Sequence, residues 1–462
     1  MAESELRKTL LYKTKNGYDA LTEADAAAME RYCEEYKQFL DSSKTEREAV
    51  ATAIYLAETH GFREWKPDEA VKAGDKLYYV NRGKAIMLAV MGQEPLSAGC
   101  NIAAAHTDSP RLDLKPSPLF EDSDMAYFKT HYYGGIRKYQ WVTIPLVLHG
   151  VVVLQDGSTL TVRIGDAPGE PQFIISDLLP HLGYEQGKKP LDTAIVAENL
   201  NLLVGGRPLR GDDGGDRVKL EVLRLLHDAY GITEEDFISA ELQAVPAMNA
   251  RDIGLDRSFI GAYGHDDRVC AYAELAALLE QDCPRRTAVC IFADKEEIGS
   301  DGVSGMQSAA FEYFLGGLCK AQSVDIQTCF ANSFCLSADV TAAFDPAFAE
   351  VYDKRNCAYC NRGIGLCKYT GARGKAGASD ASAEVVGYLR KLFNGKGVLW
   401  QMTELGKADV GGGGTVAKYM ANRNIDTIDA GVPVLSMHAP YETVAKLDCF
   451  MTYRGVKAIF ET

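Results

Sequence analysis

The chain has 462 residues and a formal net charge of −15, with 49 Lys and Arg against 64 Asp and Glu. Apolar residues make up 47% of it and charged residues 24%, which is typical of a folded globular protein and excludes a largely disordered chain. The negative surplus argues against nucleic-acid binding and against docking on anionic membranes, because both need a basic surface. At roughly 150 residues per domain, the length predicts two or three domains.

Cysteine usage and the lack of long apolar runs predict a cytoplasmic protein with reduced thiols. The twelve Cys are scattered along the chain, and its first residues are charged where a secretory signal would be apolar. No apolar run reaches the roughly 18 residues that a membrane helix needs. Cys357 and Cys360 form a C-x-x-C pair with Cys367 nearby, but a fourth zinc ligand is missing, so unpaired thiols are favoured over a structural zinc site.

The first hundred residues predict two helices and then three strands. Thr22 and Asp25 are spaced as a capping box before apolar residues of helical period, and a second helix is predicted over 46–60. Two strands joined by a short turn are then predicted by the runs KLYYV and KAIMLAVMG. A third apolar run, CNIAAAH, ends abruptly in polar residues.

The remainder of the chain divides into a β-rich region and an alternating region. From about Pro116 to Arg257 the pattern is of strands, with a hairpin turn at 156–157. After Asp266, helices alternate with the strands TAVCIFA, FCLSAD, VLWQMT and NIDTIDAGVP, and a final long helix is predicted from about Tyr441. This order predicts an α/β domain with helices on both faces of a mixed sheet, interrupted by a β-rich insertion.

Two pairs of polar residues follow apolar strands, where ligands bind in open α/β sheets. After CNIAAA, His106 can bind a metal while Asp108 holds the other ring nitrogen, although a His in an ordinary turn is the commoner case. After the strand TAVCIFA, Glu296 and Glu297 point in different directions in a non-helical segment. One can therefore bind a metal while the other acts as a general base, against the alternative of a solvated acidic loop.

Three further residues stand at similar places. Asp266 opens a helix, Asp339 ends the strand FCLSAD, and His438 follows GVPVLSM. Each has an ordinary explanation when taken alone. Asp266 can be a helix-terminal acid, Asp339 a turn cap and His438 a half-buried His. Together with the first two pairs, they describe a dinuclear hydrolase in which one carboxylate bridges zinc, manganese or cobalt ions.

Five blocks of the chain resemble a known family. AAAHTDSPRLDLKP, DDRV, DKEEIGS, SADVTAAFDP and PVLSMHAPYE are similar to the signature blocks of the M18 aminopeptidases, the family of aspartyl aminopeptidase and vacuolar aminopeptidase I. The blocks occur in the family's order and span nearly the whole chain. The resemblance implies a cocatalytic dizinc aminopeptidase that removes single residues from the N-termini of peptides.

The resemblance also implies roles for individual residues. The implied zinc ligands are His106, Asp266, Glu297, Asp339 and His438. Asp266 would bridge two Zn²⁺ ions, with one His on each, and Mn²⁺ or Co²⁺ are alternative metals. Glu296 would be the general base, and Asp108 would orient His106.

The family's architecture implies a catalytic α/β domain over 1–112 and 258–462 and an inserted dimerisation domain over 113–257. Dimers of such chains assemble into a tetrahedral homododecamer. Some members complete the active site with a His of the neighbouring subunit. The segment LLPHLGYEQ offers His181, but a position near Glu185 is the alternative match to the family's His, so this role stays unassigned.

Substrate preference stays open at the level of sequence. Arg373 and Lys375 are the basic residues near the family's recognition loop, but they match it poorly, and the segment 409–415 is rich in Gly. A preference for acidic N-terminal residues is therefore one hypothesis, and a neutral or broad preference is the alternative. A deblocking aminopeptidase or acyl-amino-acid hydrolase is a second rival. A silent assembly or cargo protein is the non-enzyme rival, and the intact metal set argues against it.

Overall fold

The computed structural model describes residues 5–12, 15–371 and 373–462. The helices in this part are α1 Glu5–Leu10, α2 Glu23–Asp41, α3 Glu46–Thr59, α4 Leu191–Ala194, α5 Arg217–Tyr230, α6 His265–Leu279, α7 Ala310–Ala321, α8 Ile326–Ala331, α9 Ala383–Lys396, α10 Ala417–Ala421 and α11 Lys446–Phe460. The strands are β1 Arg63–Glu64, β2 Lys76–Asn81, β3 Ala85–Val90, β4 Cys100–His106, β5 Arg111–Asp122, β6 Met125–Tyr133, β7 Leu146–Val153, β8 Thr159–Ile164, β9 Leu202–Gly205, β10 Ala240–Pro246, β11 Arg251–Ile253, β12 Phe259–Ala262, β13 Thr287–Ala293, β14 Phe334–Ser337, β15 Thr341–Ala342, β16 Ile364–Cys367, β17 Trp400–Thr403, β18 Asp426–Gly431, β19 Pro433–Leu435 and β20 Glu442–Ala445.

A nine-stranded mixed sheet forms the centre of the fold, in the order β1-β2-β3-β13-β4-β14-β18-β16-β17. Its middle strands β13, β4, β14 and β18 are parallel. The strands β3, β4 and β13 are buried along their whole length, because helices cover both faces of the sheet. On one face lie α2, α3, α6, α9 and α11, and on the other lie α7, α8 and α10. The predicted α/β class with a mixed sheet covered on both faces is confirmed.

A separate six-stranded antiparallel sheet has the order β8-β7-β10-β5-β6-β9. All its strands fall between Arg111 and Pro246, and it packs with α5 around its own core, which includes Phe128 and Trp141. The hairpin predicted at 156–157 joins β7 to β8. The middle of the chain is thus β-rich, and β5 begins two residues before the predicted boundary at 113. The division into 1–112, 113–257 and 258–462 stays a prediction.

A third sheet, β11-β12-β20-β19-β15, corrects the prediction at the end of the chain. The helix predicted from about Tyr441 begins only at Lys446, because residues 442–445 form β20 between β12 and β19. Two β-branched residues in this short segment suit a strand better than a helix. The correction matters because His438 lies on the connection between β19 and β20.

The capping box predicted for the first long helix and the unpaired cysteines are both present in the structure. Thr22 caps α2, and its hydroxyl accepts a hydrogen bond from the N–H of Asp25 while the Asp25 carboxylate accepts from Thr22. The twelve Cys are free thiols, and the Cys367 S–H donates to the Tyr369 carbonyl at 3.0 Å. None of the helices in the described ranges is long and apolar enough to span a bilayer.

Charged side chains connect α3 to the six-stranded sheet. The imidazole of His149, on β7, is fully buried between two carboxylates, with Nδ1 2.9 Å from Glu48 Oε1 and Nε2 2.9 Å from Asp166 Oδ2. Lys44 Nζ lies 2.9 Å from the other oxygen of Asp166. Burial by itself lowers the pKa of His149, but the contacts with Asp166 and Glu48 outweigh it, and the pKa is raised above its ordinary value.

We expect His149→Gln to destabilise the fold more in acid than in alkali. Because the folded pKa is raised above the unfolded value of about 6.5, the stabilisation by the imidazolium is complete below that value and is lost as the pH rises through the folded pKa. Urea unfolding midpoints at about pH 5.5 and about pH 9 measure the difference. The exposed His227 on α5 provides the control, His227→Gln. Equal destabilisation by His149→Gln at both pH values would contradict the expectation.

Candidate metal centre

The carboxyl ends of three parallel strands meet at one edge of the nine-stranded sheet. β4 lies between β13 and β14, and Ala293 at the end of β13 is the register partner of His106 at the end of β4. Glu296 and Glu297 follow β13 in a short 3₁₀ turn, and Asp339 follows β14 by two residues. The parallel alignment therefore brings side chains from distant parts of the sequence to one place.

The carboxylate of Asp266, at the start of α6, lies between two imidazoles. Its Oδ1 is 3.3 Å from His106 Nε2, and its Oδ2 is 3.3 Å from His438 Nε2. Asp266 is buried, and both contacts use the Nε2 atom of the ring. A carboxylate that offers one oxygen to each of two His environments has the geometry of a bridging ligand.

The other predicted ligands divide between the two His residues. Asp339 Oδ1 lies 3.8 Å from His106 Nε2, whereas Glu297 Oε2 lies 3.7 Å from His438 Nε2. Glu296 Oε2 is 4.0 Å from His106 Nε2. The structure thus brings together the whole of the predicted set of ligands and the predicted base.

Electrostatics at this centre favour bound cations. Burial raises the pKa of Glu296 to about 7, and burial together with neighbouring carboxylates holds the pKa values of Glu297 and Asp339 well above the ordinary range. Burial would also raise the pKa of Asp266, but the two imidazoles lower it. So many buried carboxylates repel one another unless positive charge lies between them.

The donor set and its unpaired atoms fit zinc. Carboxylate oxygens and imidazole nitrogens are both zinc ligands. The ligand atoms of His106, Asp266 and Glu297 lie within 4.8 Å of one another, and so do those of His106, Asp267 and Asp339. Glu297 Oε1 and Asp267 Oδ1 are buried without a hydrogen-bond partner, which is costly unless a cation or a bound molecule satisfies them.

Asp108 contacts more of the centre than the sequence predicts. His106 Nδ1 lies 2.9 Å from the backbone carbonyl of Asp108 and 3.3 Å from its carboxylate. That carboxylate also accepts hydrogen bonds from the backbone N–H groups of Glu296 and Glu297, each at 3.2 Å, and from the Tyr133 hydroxyl at 2.8 Å. One buried side chain therefore orients both the first His and the turn that carries the acidic pair.

Sequence reasoning missed several supporting residues. Glu442 is buried and accepts hydrogen bonds from the backbone N–H groups of Asp266 and His438, at 3.0 and 2.7 Å. Glu442 stands four residues after His438, at the end of the block PVLSMHAPYE. Its place in that block is the feature of the sequence that could have marked it. Tyr133 and the Gly135 carbonyl, which lies 2.9 Å from His438 Nδ1, come from the end of β6, and no pattern in the sequence marks them.

The residues considered for substrate specificity lie elsewhere. His181 is exposed between β8 and α4, and no hydrogen bond or ion pair seen in the described part of the chain joins it to the centre. Arg373 is exposed. Lys375 pairs with Asp380 at 3.2 Å and lies over the Tyr369 ring. Neither Arg373 nor Lys375 lines the cavity beside the metal centre.

A cavity of about 470 Å³ opens beside the centre. At one end it is lined by Asp266, Glu296, Glu297, Asp339 and His438. Residues 412–414, from the predicted Gly-rich turn, line another wall. At Gly411 a Cβ atom would lie 1.5 Å from the Leu405 carbonyl, so this turn packs against backbone too closely for a side chain.

Comparison with known proteins identifies the family. Residues 39–460 match the family described as Aminopeptidase I zinc metalloprotease (M18). The chain belongs to the M18 aminopeptidase family. It is 44% identical over 457 residues to a probable M18 family aminopeptidase 1 of Clostridium acetobutylicum, over 97% of this chain and 98% of that relative.

Solved M18 structures share the fold. The crystal structure of an M18-family aminopeptidase from Thermotoga maritima has a TM-score of 0.94 and 43% identity, covering 98% of this chain and 100% of the other. The S. cerevesiae mApe1 dodecamer, at 21% identity and a TM-score of 0.77 over 94% of this chain and 97% of the other, shares the fold. The predicted family and its zinc metalloaminopeptidase class are confirmed.

Zinc should stabilise this M18 aminopeptidase measurably. We expect Zn²⁺ added to the chelator-treated protein to raise the midpoint of thermal unfolding, since a ligand at a thousand times its Kd stabilises by about 4 kcal/mol. Asp266→Asn should lose most of this gain, because it removes charge from between the two His residues. Asp426→Asn, an exposed position on β18, should keep the gain. An equal zinc response in the two variants would contradict this.

Proposed function

We propose that this M18 aminopeptidase is a cocatalytic enzyme that holds two zinc ions and hydrolyses the N-terminal residue from peptides. The observation that carries the proposal is the Asp266 carboxylate, with one oxygen 3.3 Å from His106 and the other 3.3 Å from His438. Asp339 lies beside the first His and Glu297 beside the second. This supports one ion held by His106, Asp266 and Asp339, and another held by His438, Asp266 and Glu297.

Glu296 would transfer the protons of the reaction. When bound, zinc polarises the scissile carbonyl and lowers the pKa of water. Glu296 lies at the cavity wall beside His106 and accepts a proton from the attacking water. It then donates that proton to the leaving amine. Burial raises the pKa of Glu296 above its ordinary value, which strengthens this carboxylate as a proton acceptor.

Other residues hold this arrangement in place. Asp108 fixes the turn of Glu296 and Glu297 through their backbone N–H groups, so the base and its neighbouring ligand keep separate directions. Glu442 fixes the backbones of Asp266 and His438 in the same way. Such supporting contacts tune a metal site without touching the metal.

The variants Glu296→Gln and Glu297→Gln should distinguish the role of a general base from that of a zinc ligand. We expect Glu296→Gln to lower kcat by about a thousandfold while the zinc content stays unchanged, because only the proton acceptor is lost. Glu297→Gln should lower the zinc content as well, because it replaces a charged ligand. Hydrolysis of a leucyl reporter measures kcat, and elemental analysis measures the zinc content. Near-native activity in Glu296→Gln would contradict the assignment, and a metal-free, inactive wild type would favour the silent assembly or cargo protein.

The residues that line the cavity disfavour a preference for acidic N-terminal residues. In the part of the chain that the structure describes, Lys418 is the one Lys or Arg among the residues that line it, against five carboxylates. Two bound zinc ions would offset the four carboxylates of the centre, so Asp429 is the carboxylate that an acidic N-terminal residue would meet. A comparison of free and N-acylated substrates separates an aminopeptidase from a deblocking enzyme or acyl-amino-acid hydrolase.

We also propose a cytoplasmic homo-oligomer in which the six-stranded sheet, over 113–257, mediates dimerisation. The fold shared with the mApe1 dodecamer supports assembly to a dodecamer. A segment of this region exposes large apolar side chains, which is typical of an interaction surface. These side chains are Leu178, Leu179, Leu182, Tyr184, Leu191 and Val196.

The assembled mass tests the oligomer. Light scattering after gel filtration should give the mass of twelve copies of the 50.4 kDa chain. Leu182→Glu should shift the protein to smaller species, because a charge on this surface must be desolvated on contact. The fully exposed Leu255, on the turn before β12, provides the control variant, Leu255→Glu. A monomeric wild type, or an unchanged mass in Leu182→Glu, would contradict the proposal.

A further inference from the structure

A buried carboxylate outside the metal centre also lines the cavity. Asp429, on β18, is 3% exposed. Its Oδ1 accepts two hydrogen bonds, from the Ser337 hydroxyl at 3.0 Å and from the Thr415 hydroxyl at 2.7 Å. Its Oδ2 is buried and has no hydrogen-bond partner. A buried acceptor left unpaired beside a cavity is costly, and a donor on a bound molecule would satisfy it.

The position of Asp429 matches the reach of a side chain from the metal centre. Two residues further along β18, Gly431 packs against the backbone of Asp339, so closely that a Cβ atom would lie 1.9 Å from the Asp339 carbonyl. A strand advances about 3.3 Å per residue, so Asp429 lies about 7 Å from that contact along the same cavity wall. A substrate residue whose backbone sits at the metal centre can therefore reach Asp429 with a long side chain.

Apolar side chains and Gly residues line part of the cavity, together with the hydroxyl residues Ser300, Thr341, Thr370 and Thr415. Leu405 and Met437 line the cavity, and so does Cys367, the register partner of Asp429 on β16. The Gly residues at 412–414 form another wall. No ion pair seen in the described part of the chain joins Asp429 to a Lys or Arg. Lys418, which also lines the cavity, places its Nζ over the ring of Tyr419.

We propose that Asp429 is a specificity-determining residue that binds the cationic side chain of an N-terminal Lys or Arg. This inference rests on the proposed aminopeptidase function and names its substrate class. The two hydroxyl donors hold the carboxylate in place, and its second oxygen accepts a charge-assisted hydrogen bond from the ammonium or guanidinium group. The apolar walls pack against the aliphatic part of the same side chain. An N-terminal Asp or Glu would instead bring a like charge toward Asp429.

The ionisation of Asp429 is compatible with this role. Burial raises its pKa to about 6, while the hydrogen bonds from Thr415 and Ser337 lower it. The carboxyl group is therefore largely ionised above neutral pH in the empty cavity, and an approaching cation favours the ionised form further.

Lysyl and norleucyl reporters test the proposal, because norleucine has an aliphatic chain like that of Lys but no ammonium group. We expect the zinc-loaded full-length enzyme to show a kcat/KM at least tenfold higher for the lysyl reporter. Asp429→Asn should lower this ratio by about tenfold or more, since it removes the charge and keeps the shape. Asp426→Asn, on the exposed start of the same strand, should leave the ratio unchanged. A ratio near one in the wild type, or one unaffected by Asp429→Asn, would overturn the proposal.

Inhibition of the wild type provides a second measurement that does not depend on the folding of a variant. Lysinamide should inhibit cleavage of a leucyl reporter at about tenfold lower concentration than norleucinamide. Equal inhibition would overturn the role of Asp429 and leave the aminopeptidase function standing, because the leucyl reporter is still cleaved. Failure of the zinc-loaded wild type to cleave any free aminoacyl reporter would overturn both proposals.

Discussion

Crowding of buried negative charge is the constraint on which this protein's active centre depends. Asp266, Glu297 and Asp339 approach two imidazoles closely, and Glu296 lies at the same edge of the sheet. Burial raises the pKa of most of these groups, because the ionised forms are poorly solvated. Cations between them convert this repulsion into binding energy. The parallel ends of β4, β13 and β14 bring His106, the acidic pair and Asp339 to one edge, and the start of α6 adds Asp266 there.

Contacts to backbone groups keep the crowded side chains apart. Asp108 and Glu442 are themselves carboxylates, yet each accepts two backbone N–H groups of the segments that hold the centre. Burial raises the pKa of Glu442 to about 8, whereas contacts with His106 and the Tyr133 hydroxyl lower that of Asp108 although burial opposes them. These hydrogen bonds fix the backbone of the segments that carry the centre.

Much of the fold and of the centre is predictable because local chemistry decides it. A short apolar run such as CNIAAAH, followed by polar residues, favours a buried strand, and the five signature blocks together give the His and the acidic pair after such runs a role that neither indicates alone. The sequence pattern predicts a helix for residues 442–445 wrongly, because the pairing of these residues with β12 and β19 is not local. Tyr133 and Asp429 escaped prediction for the same reason, since their roles come from contacts across the fold. Arg373 and Lys375 looked relevant by charge, but the cavity lies elsewhere.

The end of β6 gives the six-stranded sheet a direct part in the chemistry of the other sheet. Tyr133 donates to Asp108, which orients His106, and Gly135 accepts directly from His438, so one short segment contacts both sides of the centre. At Gly134 a Cβ atom would come within 3.2 Å of the Glu297 carboxylate, which leaves little room for this segment to shift. The metal-binding geometry is consequently shared by two sheets that have separate cores. A displacement between the sheets would therefore disturb the contacts of both His residues at once.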